Sequence, residues 1–356
     1  MRAPRALFTL AWGSSRAANS LALASAAWML SGFTPSPLVN GLLPAVVSAP
    51  LLLPLPSRPR LGVLLQLLAG LVLLTIAARL IPLPVASTLV ALLLFSIGAQ
   101  LVDLPVQRLL HASAGLSVAA LRTGAEAGRL VGNSLAGLLF PLGKALLQFS
   151  QALVLLLPLV GLVAGPVALS PESASVEGAP RDRPEHVQLL PAALMQGLLF
   201  GALFGLIPLW VRQQGTGNCF DFAMVLTAYG MGRAGAEAWS GRFSLGLGSL
   251  YLLLALALAG TQVLPGWGAV LLFVPLGLLA SASDQRLTQA LGPADDPVLR
   301  ALGFNRSACL GGLMGSLAMG AAGQALGLAA LLPLQLLAFG SAALLMPRLV
   351  HAQQRC

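Results

Sequence analysis

"SPESASVEGAPRDRPEHV" occupies residues 170–187 and is the longest clearly hydrophilic passage in the chain. Proline, serine and mixed charge leave it little to bury, so it reads as a solvated linker. The sequence on either side is of the opposite kind. Of 356 residues, 57% are hydrophobic and 9% charged, with a mean hydropathy of +0.87. Eleven acidic and twenty basic residues cannot coat a soluble domain of this length. Apolar blocks of bilayer-spanning length, divided by short Pro, Gly and charged punctuation, predict about twelve spans. They fall at 6–32, 34–56, 61–81, 85–107, 115–141, 145–169, 189–211, 218–240, 244–264, 266–283, 300–324 and 328–347. Six precede the linker and six follow it, the layout of two repeated bundles. The expected fold class is an all-α polytopic membrane protein of about 12 transmembrane helices as two six-helix bundles. Its expected organisation is an N-terminal bundle (1–169), a cytoplasmic linker (170–188), a C-terminal bundle (189–347) and a cytoplasmic tail (348–356).

Charge sets the orientation. With the N-terminus inside, the inner segments hold twelve Arg, among them Arg58, Arg60, Arg108, Arg181 and Arg183, against only Arg79, Lys144 and Arg212 outside. That bias places both termini in the cytoplasm and requires an even number of spans. A formal charge of +9 would suggest nucleic acid in a soluble protein, but no basic tract of that type occurs. Cys219, Cys309 and Cys356 show no CxxC spacing, and His111, His186 and His351 are isolated, so no metal and no cofactor is expected. The opening residues could mimic a signal peptide. Arg16 and Asn19 interrupt the apolar run and further spans follow at once, so an uncleaved first helix is the reading.

The stretch "LFTLAWGSSRAANSLALASAAWMLSGFTPSPLVNGLLPAVVSAPLLL" (7–53) resembles the first two helices of the major facilitator superfamily, in its siderophore-exporter and macrolide-efflux branch. The Leu10–Ala11–Trp12 run, the small and polar middle, and Thr34-Pro35-Ser36-Pro37 with Gly41-Leu42 carry the likeness. "VDLPVQRLLHASAG" (102–115) is similar to the family's passage into helix five. Where that superfamily usually has a Gly-x-x-x-Asp-Arg-x-Gly-Arg-Arg loop, this chain has "LPSRPRLG" (55–62), without the Asp. Either the cytoplasmic gate is built elsewhere or the chain has drifted from transport.

Two charged stretches bear on that choice: "RTGAEAGRLVG" (122–132) in span five and "GMGRAGAEAWSG" (230–241) in span eight. Each ionisable group at membrane depth costs about 2.5–3.5 kcal/mol on insertion scales. Arg122 and Glu126, and Arg233 and Glu237, are i,i+4, while Glu126 and Arg129 are i,i+3, so each helix can neutralise its own charges. The resemblance implies a second arrangement, because helices five and eight of that fold face one another and run oppositely. At about 1.5 Å per residue, Arg122 and Glu126 lie roughly 10 and 16 Å in from the cytoplasmic end, and Glu237 and Arg233 roughly 6 and 12 Å. Arg122 can then meet Glu237, and Glu126 can meet Arg233, as a cytoplasmic gate. Gly124, Gly128 and Gly132 on one helix, and Ala228, Gly232 and Ala236 on the other, form ridges expected to let the two approach.

Arg16 and Asn19, midway along span one, and Asp103 on span four are the candidate substrate-cavity residues. Asp103 can pair with Arg108 or Arg16. Asp103 and Glu126 are also the proton-coupling candidates, since burial can raise a carboxyl pKa toward neutrality. Asp221 near Arg212 reads as a surface pair, and the five Trp as interfacial anchors. Without a P-loop, energy would come from an ion or substrate gradient. The expected function is a secondary transporter in a bacterial inner membrane, exporting a small organic molecule that Arg16 suits to be anionic, with protons as a coupling partner and the chain a monomer. A membrane protein that keeps the bundle to assemble or dock partners is the alternative. No nucleophile–base or metal constellation suggests an enzyme.

Overall fold

The structure, a computed structural model, describes residues 5–53, 55, 58–114, 118–139, 189–213, 217–239, 245–264, 266–290 and 297–355. The predicted sixth span and the 170–188 linker lie outside the described residues. All the regular structure described is helical: α1 (Arg5–Phe33), α2 (Pro37–Ser48, continued by a 3-10 turn to Leu52), α3 (Pro59–Ala77), α4 (Pro84–Ala114) and α5 (Val118–Leu139) before the linker. After it come α6 (Pro191–Gln213), α7 (Cys219–Trp239), α8 (Leu247–Val263), the short α9 (Trp267–Leu271), α10 (Phe273–Ala290), α11 (Pro297–Leu326) and α12 (Leu331–Arg355). Spans seven, eight and nine are thus α6, α7 and α8, and span ten is α9 with α10. Among the described residues six helices are long and apolar enough to cross a membrane. The helices α5 and α7 are not among them, although they are long enough, because they carry the charged stretches.

Local chemistry explains the boundaries. Span two begins at Pro37 and not at 34, because a residue before proline is kept out of the helical region. Ser36 is extended (φ −65°, ψ 118°), and its hydroxyl accepts from the Val39 N–H as an N-cap. Asn40 adds bonds from Nδ2 to the Thr34 and Ser36 carbonyls, at 3.0 and 2.9 Å. At α7, Asn218 Oδ1 accepts from the Asp221 N–H (3.0 Å) and Asp221 accepts from the Asn218 N–H (2.9 Å). This reciprocal cap replaces the surface pair expected between Asp221 and Arg212. Span ten breaks between Leu271 and Phe273, where Pro275 removes a donor from the following turn. It then runs to Ala290, so the loop predicted at 283–300 is helical over its first eight residues. Span four likewise runs to Ala114, and span twelve passes through Pro347 to Arg355.

Packing joins α1 to α5 and α4, α3 to α4, α6 to α11, α7 to α10 and α8 to α12. Contacts between the two groups are carried mainly by α2 against α11 and α5 against α7. The small-residue ridges make contacts different from those expected. A Cβ added at Gly128 or Gly132 would strike the Gly13 or Ala17 carbonyl of α1, and one at Gly232 would strike the Val274 carbonyl of α10. Both ridges therefore tighten helices within their own group. The second group repeats the first: Gly311 and Gly315 of α11 press on Leu194 and Leu198 of α6 as Gly128 and Gly132 press on α1. Such contacts exclude side chains because protein interiors are close-packed.

Gly132→Ala is expected to cost about 1–3 kcal/mol by overpacking. Gly340→Ala on α12, where an added Cβ meets nothing within 4 Å, is expected to be neutral or stabilising by up to about 1 kcal/mol. Melting temperatures of the two variants in detergent should move in opposite directions from the parent, or at least be clearly separated.

Candidate functional site

The inner end of the molecule is defined here as the end where α1 begins and α12 finishes. Toward that end, Glu126 on α5 and Arg233 on α7 meet across the group boundary. Arg233 Nη2 donates to Glu126 Oε1 at 3.0 Å, and Arg233 Nε reaches both carboxylate oxygens at 3.3 Å. The Glu126 side chain is 6% exposed and that of Arg233 16%. Helix geometry brings two more charges in. Arg129, one turn along α5, donates from Nη1 to Glu126 Oε1 at 2.9 Å. Asp284 on α10 accepts from Arg233 Nη2 at 3.0 Å. Tyr229, four residues before Arg233, places its hydroxyl 3.4 Å from Nη1.

The network continues behind Asp284. Gln196 on α6 donates from Nε2 to Asp284 Oδ1 and to Ser283 Oγ, each at 2.7 Å. The buried Tyr251 hydroxyl of α8 donates in turn to Gln196 Oε1. Both Asp284 oxygens thus accept, as an ionised carboxylate requires. Four charges on three helices, two of each sign, are extended by Gln196 and Tyr251 into a network across five helices.

The local and inter-helix alternatives for Glu126 both hold at once: it pairs with Arg129 on its own helix and with Arg233 across the boundary. The side chains of Arg122 and Glu237 lie outside the described residues, as does that of Arg108. Asp284, Gln196, Tyr229 and Tyr251 were missed in the sequence. Asp284 follows an apolar run, in the polar stretch between the predicted spans ten and eleven. The available signal was helical spacing: Leu276, Ala280, Ser283 and Leu287 continue the buried face of α10 past the last hydrophobic block.

Arg16 on α1 forms an ion pair with Asp103 on α4, each side chain 11% exposed. The Arg16 guanidinium also lies over the Trp12 ring, 4.1 Å from its centre. Trp12 is 4% exposed and donates from Nε1 to the Leu121 carbonyl at 2.9 Å, so it is a core residue and not an interfacial anchor. Trp267, 59% exposed, does sit as an anchor would. Next to the pair, Arg16 Nε and Asn19 Oδ1 are buried, with no hydrogen-bond partner among the described residues, and Thr227 Oγ1 on α7 is in the same condition. Between them in chain position, Asn133 on α5 accepts from Ser20 Oγ at 2.5 Å and donates to the Leu226 carbonyl of α7 at 3.3 Å. Buried polar atoms without partners are costly, and a site that binds a polar solute is one place where they persist.

The outer end is joined by different chemistry. Arg212, in the last turn of α6, donates from Nε to Ser31 Oγ at 2.7 Å and from Nη2 to the Trp28 carbonyl at 2.9 Å, both on α1. Its guanidinium lies 3.7 Å from the centre of the Trp28 ring, which stacks on Phe222 of α7. Ser36 Oγ and Gln324 Oε1 are 2.9 Å apart, joining α2 to α11. In this conformation the group boundary is closed at both ends. Among the described residues no group of three or more metal-ligating side chains comes together.

No family profile matches the sequence, and no curated protein sequence does either. The structure is similar to those of several transporters. The nucleoside transporter NupG, in a point-mutant form, superposes with a TM-score of 0.64 over 98% of each chain at 12% identity. A bacterial homologue of the iron transporter ferroportin, in its outward-facing state, gives 0.62 over 100% of each at 14% identity. A bacterial homologue of the human lysosomal transporter Spinster, inward-facing, gives 0.60 over 98% of this chain and 93% of that one at 13% identity. The chain has the major facilitator fold, a multi-pass arrangement of membrane-spanning helices.

Removing one member of the Arg16–Asp103 pair, as in Arg16→Met or Asp103→Leu alone, is expected to cost about 3–5 kcal/mol because the other charge stays buried. The double variant Arg16→Met/Asp103→Leu should recover most of that loss. Thermal unfolding of the two singles and the double gives the cycle, and additive losses would contradict the pairing.

Proposed function

We propose that this protein is a secondary transporter that moves a small organic molecule across a bacterial cytoplasmic membrane by alternating access, with both termini in the cytoplasm. The observation that carries the reading is that separate side-chain contacts join the two helix groups toward each end. Glu126 and Arg233 join them at the inner end and Arg212 with Trp28 and Ser31 at the outer end. Between the two in sequence depth lie Arg16, Asn19 and Asp103, the proposed substrate cavity. Opening the inner contact alone exposes that cavity to the cytoplasm, and opening the outer one alone exposes it to the other side. Arg122 and Glu237 are proposed to complete the inner gate.

Export is the direction favoured by the resemblance of residues 7–53 to the siderophore-exporter and macrolide-efflux branch. An anionic substrate is favoured by the open hydrogen-bonding capacity of Arg16 Nε, because Asp103 occupies only part of the guanidinium. A solute carboxylate that engaged Arg16 would compete with Asp103, the first proton-coupling candidate, for the guanidinium. Glu126 is the second proton-coupling candidate, and the chain is proposed to work as a monomer.

The test uses Asn19→Cys in a chain without its native cysteines, probed with a membrane-impermeant maleimide from either side. Cysteine pairs replacing Glu126 and Arg233, or Ser31 and Arg212, are first joined with a short bifunctional reagent. Joining the outer pair should leave position 19 reactive from the inner side only, and joining the inner pair should reverse this. Labelling from both sides in every state, or a pattern that ignores the cross-links, would sink alternating access.

A further inference from the structure

Glu126 and Arg233 each hold a second partner that belongs to their own side of the boundary. We propose that Arg129 and Asp284 are exchange partners, which keep the two gate charges neutralised when the inner gate opens. The inference rests on the gate reading above and goes beyond it by assigning roles to two residues outside the gate pair.

The geometry separates the contacts that must break from those that need not. Arg129 is on α5 with Glu126, 2.9 Å from its Oε1. Asp284 is on α10, which packs against α7 so closely that a Cβ at Gly277 would strike the Tyr229 carbonyl. Its Oδ2 is 3.0 Å from Arg233 Nη2. A relative movement of the two groups stretches Glu126–Arg233 and carries Glu126–Arg129 and Arg233–Asp284 along intact. Glu126 with Arg129, and Arg233 with Asp284, each form a neutral pair.

That division matters because a buried pair without alternatives is hard to part: the abandoned charge remains in a poor solvent. Among the described side chains, Arg233 gives up Glu126 and keeps Asp284, and Glu126 gives up Arg233 and keeps Arg129. Asp284 is built for the task. Its Oδ1 is fixed by Gln196, whose own oxygen is engaged by Tyr251, so three helices of the second group hold the carboxylate. Asp284 therefore stays with Arg233 and cannot follow Glu126. Arg129 is the looser partner, with a side chain 49% exposed. Without these two residues the inner gate would favour its closed state.

Double electron–electron resonance between spin labels at Ala127 and Met231, both exposed positions beside the gate, reads the populations directly in the cysteine-free full-length protein. Partner exchange predicts that Asp284→Asn and Arg129→Gln each shift the distribution several-fold toward the short distance, whereas Glu126→Gln shifts it toward the long one. Arg129→Gln changes a half-exposed side chain, so it decides the matter even if the Asp284 variant folds poorly. If Glu126→Gln opens the gate while Arg129→Gln and Asp284→Asn leave it unchanged or open it, exchange is overturned and the gate stands. If Glu126→Gln leaves the distribution unmoved, the gate reading itself fails, and exchange fails with it.

Discussion

A carboxylate with a 6% exposed side chain, in a helix that must cross hydrocarbon, constrains everything around it. Glu126 can be kept ionised there only by cations close enough to offset its lost hydration. It has Arg129 one turn away and Arg233 on the facing helix. Arg233 in turn needs more than Glu126 can offer, and Asp284 with the Tyr229 hydroxyl fills the remainder. Each addition recruits another helix, so that α5, α7, α10, α6 and α8 are tied into one polar chain. The lipid-facing surface of the molecule is ordinary by comparison: exposed Leu and Val that need no partner in a bilayer.

The small residues have a different task from the charges. Gly128 and Gly132 bring α5 against α1, and Gly232 with Gly277 brings α7 against α10, all within a group. Rigid groups are what an interface between groups requires if it is to open as a unit. Close backbone contact supplies the rigidity by dispersion and shape, with no polar atom at stake. In the proposed cycle the boundary is left to side chains that part and meet again. The backbones of α2 and α11 also approach across it, where a Cβ at Gly41 would lie 2.6 Å from the Ser316 carbonyl and one at Gly320 3.0 Å from the Pro37 carbonyl.

The two ends differ in kind. Charge pairs across the inner boundary are strong, directional and sensitive to what else carries charge nearby. The outer contact is one guanidinium against an aromatic face, a hydroxyl and a carbonyl, all uncharged. Parting it leaves a single cation at the membrane surface, where water can hydrate it, so no exchange partner is needed there. In the proposed cycle this makes the outer end the one opened at smaller electrostatic cost, and it explains why the elaborate network is found only at the inner end among the described residues.

Much of this was legible in the sequence, and the division follows from what local pattern encodes. Membrane insertion and the count and placement of most spans follow from hydropathy, whereas the depth match of Glu126 with Arg233 follows from helical rise and charge order only because the family resemblance implies that helices five and eight face one another. These properties act along one chain segment at a time. The partners of a charge across space do not follow. Asp284 lies beyond the end of an apolar run, and only the packing of α10 against α7 brings it to Arg233. Arg212 looked like an outer loop residue until the fold laid it on Trp28. The glycine ridges could be read as ridges, but not the neighbour each one faces, because a helix shows the same spacing to every neighbour. Sequence by itself determined that the charges in α5 and α7 had to be neutralised; tertiary structure decided by whom, since only the arrangement of helices sets which oppositely charged groups stand within 3 Å.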